Sequence, residues 1–154
     1  MALREIVTIG DEILRKRSRE VTVFDEKLKS LLDDMADTMY YEHRGVGLAA
    51  VQVGVLKRVF ICDVGDKHGL VEFINPEIME TNGSQIGSEG CLSVPGESGD
   101  VKRPQSLTIR AQDRNGDPFI LLVDDFMAVC VCHEYDHLDG VLFIDKRERT
   151  EDSN

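Results

Sequence analysis

The pattern of apolar and polar positions predicts two helices separated by several strands. In the segment "VFDEKLKSLLDDMADTMYYEH" (23–43), one apolar stripe recurs at three- and four-residue spacing, as on a helix with one buried face: Leu28, Leu31, Leu32, Met35 and Met39. Asp25 precedes this stripe and is predicted as its N-cap. A second helix is predicted from Asp125 to about Asp139, with Asp124 or Asp125 as N-cap and Gly140 in the left-handed position after its end.

Between these helices, shorter apolar runs predict strands. "KRVFICDV" (57–64) and "LVEFINP" (70–76) have strand-like composition, and "SLTIRAQDRNGDPFILLVDD" (106–125) predicts a hairpin that turns at Asn115-Gly116. The glycine-rich stretch 79–104 is predicted as loop with short strands at most, and "VLFID" (141–145) as a last short strand. Since strands and helices do not alternate, we predict an α+β fold, with mostly antiparallel sheets packed around the C-terminal helix.

Length and charge narrow the class of protein. The 154 residues suggest one catalytic domain over 1–145 and a short polar tail over 146–154. No apolar run reaches the ~20 residues of a membrane span, and the N-terminal segment lacks the features of a signal peptide, so we expect a cytoplasmic protein without a membrane partner. The net charge of −11 repels phosphate backbones, so we expect no specific nucleic-acid partner.

The predicted C-terminal helix contains a possible metal site in "VCHEYDHLDG". His133 and His137 are four residues apart, so both imidazoles lie on one helical face and can reach one ion. Glu134 is rotated by about 100° from His133, where it can accept a proton from a water at the ion without binding the ion itself. Because the histidines continue an apolar stripe, they need buried polar partners, and a metal would supply them.

The third ligand is expected upstream of this helix. The residue six after His137 is Phe143, which cannot bind a metal. Cys130 shares the face of the histidines but lies ~10 Å from His137 along the helix axis, so it fits a pocket wall better than a ligand. Cys91 lies in a glycine-rich loop that could approach an ion, but spacing alone does not decide whether it binds.

Three stretches, taken in this order, resemble the motifs of the peptide deformylase family: "GVGLAAVQ" (45–52), "EGCLS" (89–93) and "HEYDH" (133–137). The resemblance extends from "IGDEILRK" to "GVLFID", nearly the whole chain. It implies a hydrolase that removes the formyl group from the N-terminal formyl-methionine of newly made polypeptides. The implied partners are therefore nascent formyl-methionyl peptides, with weak or transient ribosome contact at most, because the tail is short and carries mixed charge.

The resemblance also implies roles for particular residues. The metal ligands would be Cys91, His133 and His137, and the ion would be one ferrous iron per chain, with zinc, nickel or cobalt able to replace it. Glu134 would be the general base and acid, while the Gln52 amide and the Leu92 N–H would hold the developing oxyanion. The implied substrate contacts are Val46, Gly47 and Glu89. From the shared helix face we add a methionine pocket formed by Phe126, Val129 and Cys130.

Three other classes of function remain open from the sequence alone. The first is a different metal amidase or peptidase with the same Cys-His-His site. The second is a structural zinc module, which would need a fourth protein ligand such as Cys62 or His68. The third is a thiol hydrolase with Cys91 as nucleophile, which would need a histidine hydrogen-bonded to that thiol.

Overall fold

In the computed structural model of the chain, which describes residues 2–42 and 45–148, the first long helix forms as predicted. Helix α1 spans Glu26–Tyr41, and the carboxylate of Asp25 accepts a hydrogen bond from the Leu28 N–H at 3.1 Å. The apolar stripe of α1 is buried. The imidazole of His43, at the end of the segment predicted to be helical, lies outside the described residues.

A five-stranded antiparallel sheet forms the centre of the fold. In chain order its strands are β1 (Gly47–Ala49), β2 (Val59–Cys62), β3 (Val71–Asn82), β6 (Ser106–Gln112) and β7 (Pro118–Asp124), and they lie in the order β1-β2-β3-β6-β7. Two further strands, β4 (Gln85–Cys91) and β5 (Val94–Arg103), pair with each other as a separate antiparallel hairpin. The predicted α+β class with antiparallel sheets is confirmed.

The middle of the sheet is buried on both faces. In β2, Phe60 and Cys62 point towards one apolar cluster, whereas Val59 and Ile61 point towards a second cluster beneath α1. Alternate side chains of a strand point to opposite faces, so this short apolar run contributes side chains to both clusters. Phe60 also stacks on Phe73 of β3, with ring centroids 4.7 Å apart. Sheet, α1 and the C-terminal helix therefore form one packed unit.

The C-terminal helix α2 spans Asp125–His137 and lies against the first of these clusters. It is buried around most of its circumference, which suits a helix at the centre of a domain. Gly140 follows with φ of +75°, as predicted, and a Cβ there would collide with the carbonyl oxygen of Arg15. Within the described ranges 2–42 and 45–148, none of the helices has the length and apolar character needed to cross a bilayer.

Three local predictions were wrong or incomplete. The stretch 79–104 is mostly strand, because a two-stranded ladder satisfies its backbone groups without needing an apolar face on every residue. "VLFID" ends in a short helix, α3 (Phe143–Lys146), not a strand, and the Asp145 carboxylate accepts from the Leu142 N–H at 3.0 Å at its start. Asp124 holds the N-cap position of α2, but its side chain makes no capping hydrogen bond.

The residues after α3 continue along the hairpin. Arg147 forms an antiparallel bridge with Val101 of β5, and the Glu148 N–H donates to the Asp100 carbonyl at 2.7 Å. The first part of the segment expected to be a polar tail is therefore attached to β5. The rest of that tail, 149–154, lies outside the described residues.

Candidate active site

Three potential metal ligands come together from two elements. Cys91 lies at the end of β4, after a register shift between Glu89 and Cys91, and His133 and His137 lie on the last two turns of α2. One ligand atom from each lies within 4.8 Å of the other two. Ligands around a tetrahedral ion with bonds of ~2.0–2.3 Å stand about 3.5 Å apart, so this donor set fits one ion after a small contraction.

The electrostatics of the histidine pair suit a buried positive charge. Burial disfavours the charged form of both rings. For His133, the charge of Glu134 and hydrogen bonds with Cys91 and Glu89 outweigh burial and raise its pKa well above the ordinary value. For His137, burial and the charge of His133 act together and lower the pKa. The site thus accommodates one cationic centre, which a metal bound to a thiolate and two neutral imidazoles would provide.

A buried ion-pair network holds His133 in place. The His133 Nδ1 contacts Glu89 Oε1 at 2.8 Å, and Arg103 donates two hydrogen bonds to Glu89, each of 2.9 Å. Arg103 also donates to Asp136 at 2.7 Å. Although burial alone would raise the pKa of Glu89, the hydrogen bonds from His133 and Arg103 lower it to about 2. With Nδ1 engaged by a carboxylate, His133 presents Nε2 to the metal position.

Few features of the sequence indicate this network. Asp136 lies inside the "HEYDH" motif, and its position one residue before a ligand indicates that it lies close to the metal site. Arg103 lies in no motif that we recognised, and only the path of β5 brings it under Glu89. Phe143 was considered only as a residue that could not bind metal, yet its ring stacks on His133 with centroids 6.1 Å apart.

Glu134 has the properties of a proton carrier. It is 5% exposed, and burial is the main cause that raises its pKa to about 7, with His133 opposing the shift. Its Oε1 lies 3.9 Å from His137 Nε2 and has no hydrogen-bond partner in the described part of the chain. A buried carboxylate that titrates near neutrality can both accept and return a proton.

The Gln52 amide is fixed in orientation next to Cys91. Its Oε1 accepts from the Ala49 N–H at 2.9 Å, so its Nε2 points towards Ser93 Oγ at 3.1 Å and Cys91 Sγ at 3.5 Å. Leu92 lies in the tight turn that joins β4 to β5. Ser93, which is fully buried, is a supporting residue to which the sequence analysis gave no role.

A cavity of about 610 Å³ opens onto these groups. Eleven of the twelve residues predicted for the site line it, and the twelfth, His137, is buried behind them. Val129 and Cys130 line its wall as predicted for the methionine pocket, beside Val46 and Gly47. Phe126 also lines the cavity, but it is 52% exposed, so the core-facing position inferred from the helix face was wrong and the ring lies at the mouth.

Cys62, Cys130, Cys132 and His68 do not belong to the cluster of three ligands. The Sγ of Cys130 lies 3.0 Å from Cys62 Sγ and 3.3 Å from the Val46 carbonyl, so it belongs to the pocket wall. His68 contacts Asp66 at 3.0 Å. Among the described residues, neither Cys62 nor His68 joins the metal cluster, which leaves a fourth position open to the cavity as in catalytic rather than structural zinc sites.

This chain is similar to peptide deformylases in sequence and in structure. The family model described as polypeptide deformylase matches residues 3–153. The peptide deformylase of Acetivibrio thermocellus is 58% identical over 146 residues, covering 95% of this chain and 84% of the relative. Peptide deformylase 1 of Bacillus subtilis is 53% identical, covering 95% and 91%. The crystal structure of peptide deformylase from Thermotoga maritima superposes with a TM-score of 0.92 at 40% identity, covering 97% of this chain and 100% of that one.

Proposed function

Because the chain belongs to the polypeptide deformylase family and is a hydrolase of the formyl group on nascent peptides, we propose that Cys91, His133 and His137 hold its metal ion and Glu134 moves the proton. The observation that carries this proposal is a Cys-His-His set at one cavity, with both histidines buried and Cys91 half-buried. Beside it lies a carboxylate oxygen of Glu134 that has no hydrogen-bond partner among the described residues.

The metal and Glu134 share the activation of water. A divalent ion bound by this set would lower the pKa of water and so supply a nucleophile at neutral pH. Glu134 accepts the proton that the water loses and later delivers it to the nitrogen of the leaving peptide. In the metal-free site, burial raises the pKa of Glu134 to about 7. A bound cation would lower this pKa, so the base form of Glu134 would dominate at neutral pH.

The developing oxyanion is stabilised by two donors close to Cys91. Gln52 Nε2 is directed towards Cys91 by the hydrogen bond that its oxygen accepts, and the Leu92 N–H lies in the adjacent turn. Each donor that faces the developing charge contributes about 3 kcal/mol to lowering the barrier, by analogy with other oxyanion holes. Because both donors are fixed before substrate binds, little reorganisation is needed during the reaction.

The substrate methionine lies in the apolar part of the cavity. Its side chain contacts Val129 and Cys130, with Phe126 at the mouth, while the peptide backbone runs past Val46 and Gly47. Glu89 lines the cavity but is fully engaged by Arg103 and His133, so its role is to orient the ligand His133 rather than to bind the peptide.

We further propose ferrous iron as the physiological metal, with zinc, nickel and cobalt as substitutes. A thiolate and two imidazoles accept all four ions, so affinity alone does not select among them. Oxygen would oxidise ferrous iron and the Cys91 thiolate. Protein loaded anaerobically with ferrous iron should therefore turn over faster than the zinc form and lose activity in air. Equal kcat/KM for the two forms would overturn the iron proposal and leave the family assignment intact.

The cellular setting follows from the same chemistry. All four cysteines are free thiols, including two whose sulfurs are 3.0 Å apart, which agrees with a reducing compartment such as the cytoplasm. The acidic chain would meet nascent formyl peptides there with only weak or transient contact to the ribosome, and with no membrane or specific nucleic-acid partner.

Formate release from formyl-Met-Ala-Ser, with metal content measured on the same sample, tests the proposed function. The wild type should release formate, and Glu134→Gln should keep its metal while kcat falls at least tenfold, because the amide preserves shape but cannot accept the proton. Formate release by Glu134→Gln at the wild-type rate would exclude the proton-carrier role. Absence of formate release by the metal-loaded wild type would exclude the function itself.

A further inference from the structure

The described residues at the mouth of the catalytic cavity include two carboxylates. Among the described residues, the carboxylate side chains that line the cavity are Glu42, Glu89, Glu97 and Glu134. Arg103 and His133 balance the charge of Glu89, and Glu134 lies deep inside. Within residues 2–42 and 45–148, no lysine or arginine lines this cavity. The carboxylates of the described part of the rim that remain are Glu42 at the end of α1 and Glu97 on β5.

Glu97 is held by the C-terminal segment. The Arg147 guanidinium lies 3.1 Å from Glu97 Oε1 and donates to the Ser98 carbonyl at 3.3 Å. Its aliphatic part covers Gly99 so closely that a Cβ on that glycine would lie 2.7 Å from Arg147 Cδ. Together with the backbone bridge from Arg147 to Val101, these contacts fix the position of β5 just beyond the rim.

The ion pair with Arg147 offsets the negative charge of Glu97 only partly. The side chains of Arg147 and Glu97 are 37% and 44% exposed, respectively. Ion pairs that are this exposed contribute little free energy, because water screens the two charges. Arg147 reaches Glu97 from outside and is not among the residues that line the cavity. A group inside the mouth therefore still meets a carboxylate, with its negative charge only partly offset.

The substrate has to pass this rim. The formyl group and methionine occupy the inner cavity, so the residues that follow must leave through the exposed mouth. An extended peptide advances ~3.3 Å per residue, which brings the second and third residues of the substrate to within about 10 Å of the metal position and hence to the rim. Formylation leaves the N-terminus uncharged, so the side chains of these residues set the charge of that part of the peptide.

We propose that Glu97 is a specificity-determining residue that favours a positive charge at the second or third position of the formyl peptide, and that Arg147 positions Glu97 and moderates this preference. The inference rests on the proposed function, since it concerns the peptide that the same site deformylates. It assigns a role in substrate choice to the segment that follows α3.

The test compares two peptides within each protein variant. For formyl-Met-Ala-Lys-amide and formyl-Met-Ala-Glu-amide, the ratio of kcat/KM values (lysine over glutamate) should exceed one in the wild type and fall as salt is added. In Glu97→Gln the ratio should fall about threefold to fivefold, the range expected for partly exposed charge pairs. In Arg147→Gln the ratio should rise, and in Arg147→Lys it should remain near the wild-type value.

Glu77→Gln is the matched control for net charge. Glu77 is a 59% exposed residue of β3 that pairs with Arg110 outside the cavity, so its neutralisation should leave the ratio unchanged. An unchanged ratio in Glu97→Gln, or an equal fall in Glu77→Gln, would overturn the proposal. If neither peptide were deformylated, the proposed function would fail instead, so the two failures are distinguishable.

Discussion

Gly47 provides the sharpest test of how the site is positioned, because it has no room for a side chain. A Cβ on Gly47 would lie 2.7 Å from Glu134 Oε2 and 2.8 Å from Cys130 Sγ. The first of these distances is about 0.7 Å short of the 3.4 Å at which ordinary contact begins. Gly47 does not have a positive φ, so alanine would be acceptable to its backbone and the cost comes from the clash alone.

Gly47→Ala should therefore displace the catalytic carboxylate more than it disturbs the fold. Misplacing a reacting group by ~1 Å costs about a hundredfold in rate, so we expect kcat to fall about tenfold to a hundredfold. Overpacking should lower the free energy of unfolding by about 1–3 kcal/mol. Metal content should stay at the wild-type level, because the atoms nearest to the added methyl group belong to Glu134 and Cys130, which are not ligands.

Formate release, metal analysis and thermal unfolding on the same preparations measure the three effects. Gly87→Ala is the matched control, since a Cβ on that β4 glycine meets nothing within 4 Å and should leave kcat unchanged. The double variant Gly47→Ala/Cys130→Ala removes the clash with the Cys130 sulfur but not the clash with the Glu134 carboxylate. Its activity should therefore stay low. Full recovery in the double variant would show that Cys130, not Glu134, transmits the effect. A Gly47→Ala enzyme with more than half the wild-type kcat would refute the steric argument.

Three further outcomes follow from the geometry. Val129→Phe should raise KM for formyl-Met peptides more than for formyl-Ala peptides, and an equal rise would place the methionine pocket elsewhere. Cys91→Ala should lose metal while Cys132→Ala keeps it, because Cys132 is buried outside the metal cluster; equal losses by metal analysis would contradict the ligand set. Glu89 has a folded pKa of about 2 against an ordinary 4.5, so its contribution to stability is present above pH ~4.5 and is lost as pH falls towards 2. In denaturant unfolding, the metal-free wild type should therefore lose about 3 kcal/mol more of its unfolding free energy over that range than the metal-free Glu89→Gln variant does.

The sequence by itself determined the two long helices and the family. The stripe of α1, its cap at Asp25 and the glycine after α2 are local features, so neighbouring residues along the chain are enough to predict them. The pair His133 and His137 is also local, since a helix brings residues four apart onto one face. Recognition of three motifs in order then identified the family without any knowledge of their arrangement in space.

Distant residues meet in ways that only the tertiary structure decided. Whether Cys91 approached the histidines depended on the path of β4, which the glycine-rich stretch concealed because its strands have few apolar positions. The Arg103 bridge between Glu89 and Asp136 joins three segments, and no sequence period encodes it. The raised pKa of Glu134 is likewise a property of burial, which depends on everything packed around α2 rather than on the residues beside it in the chain.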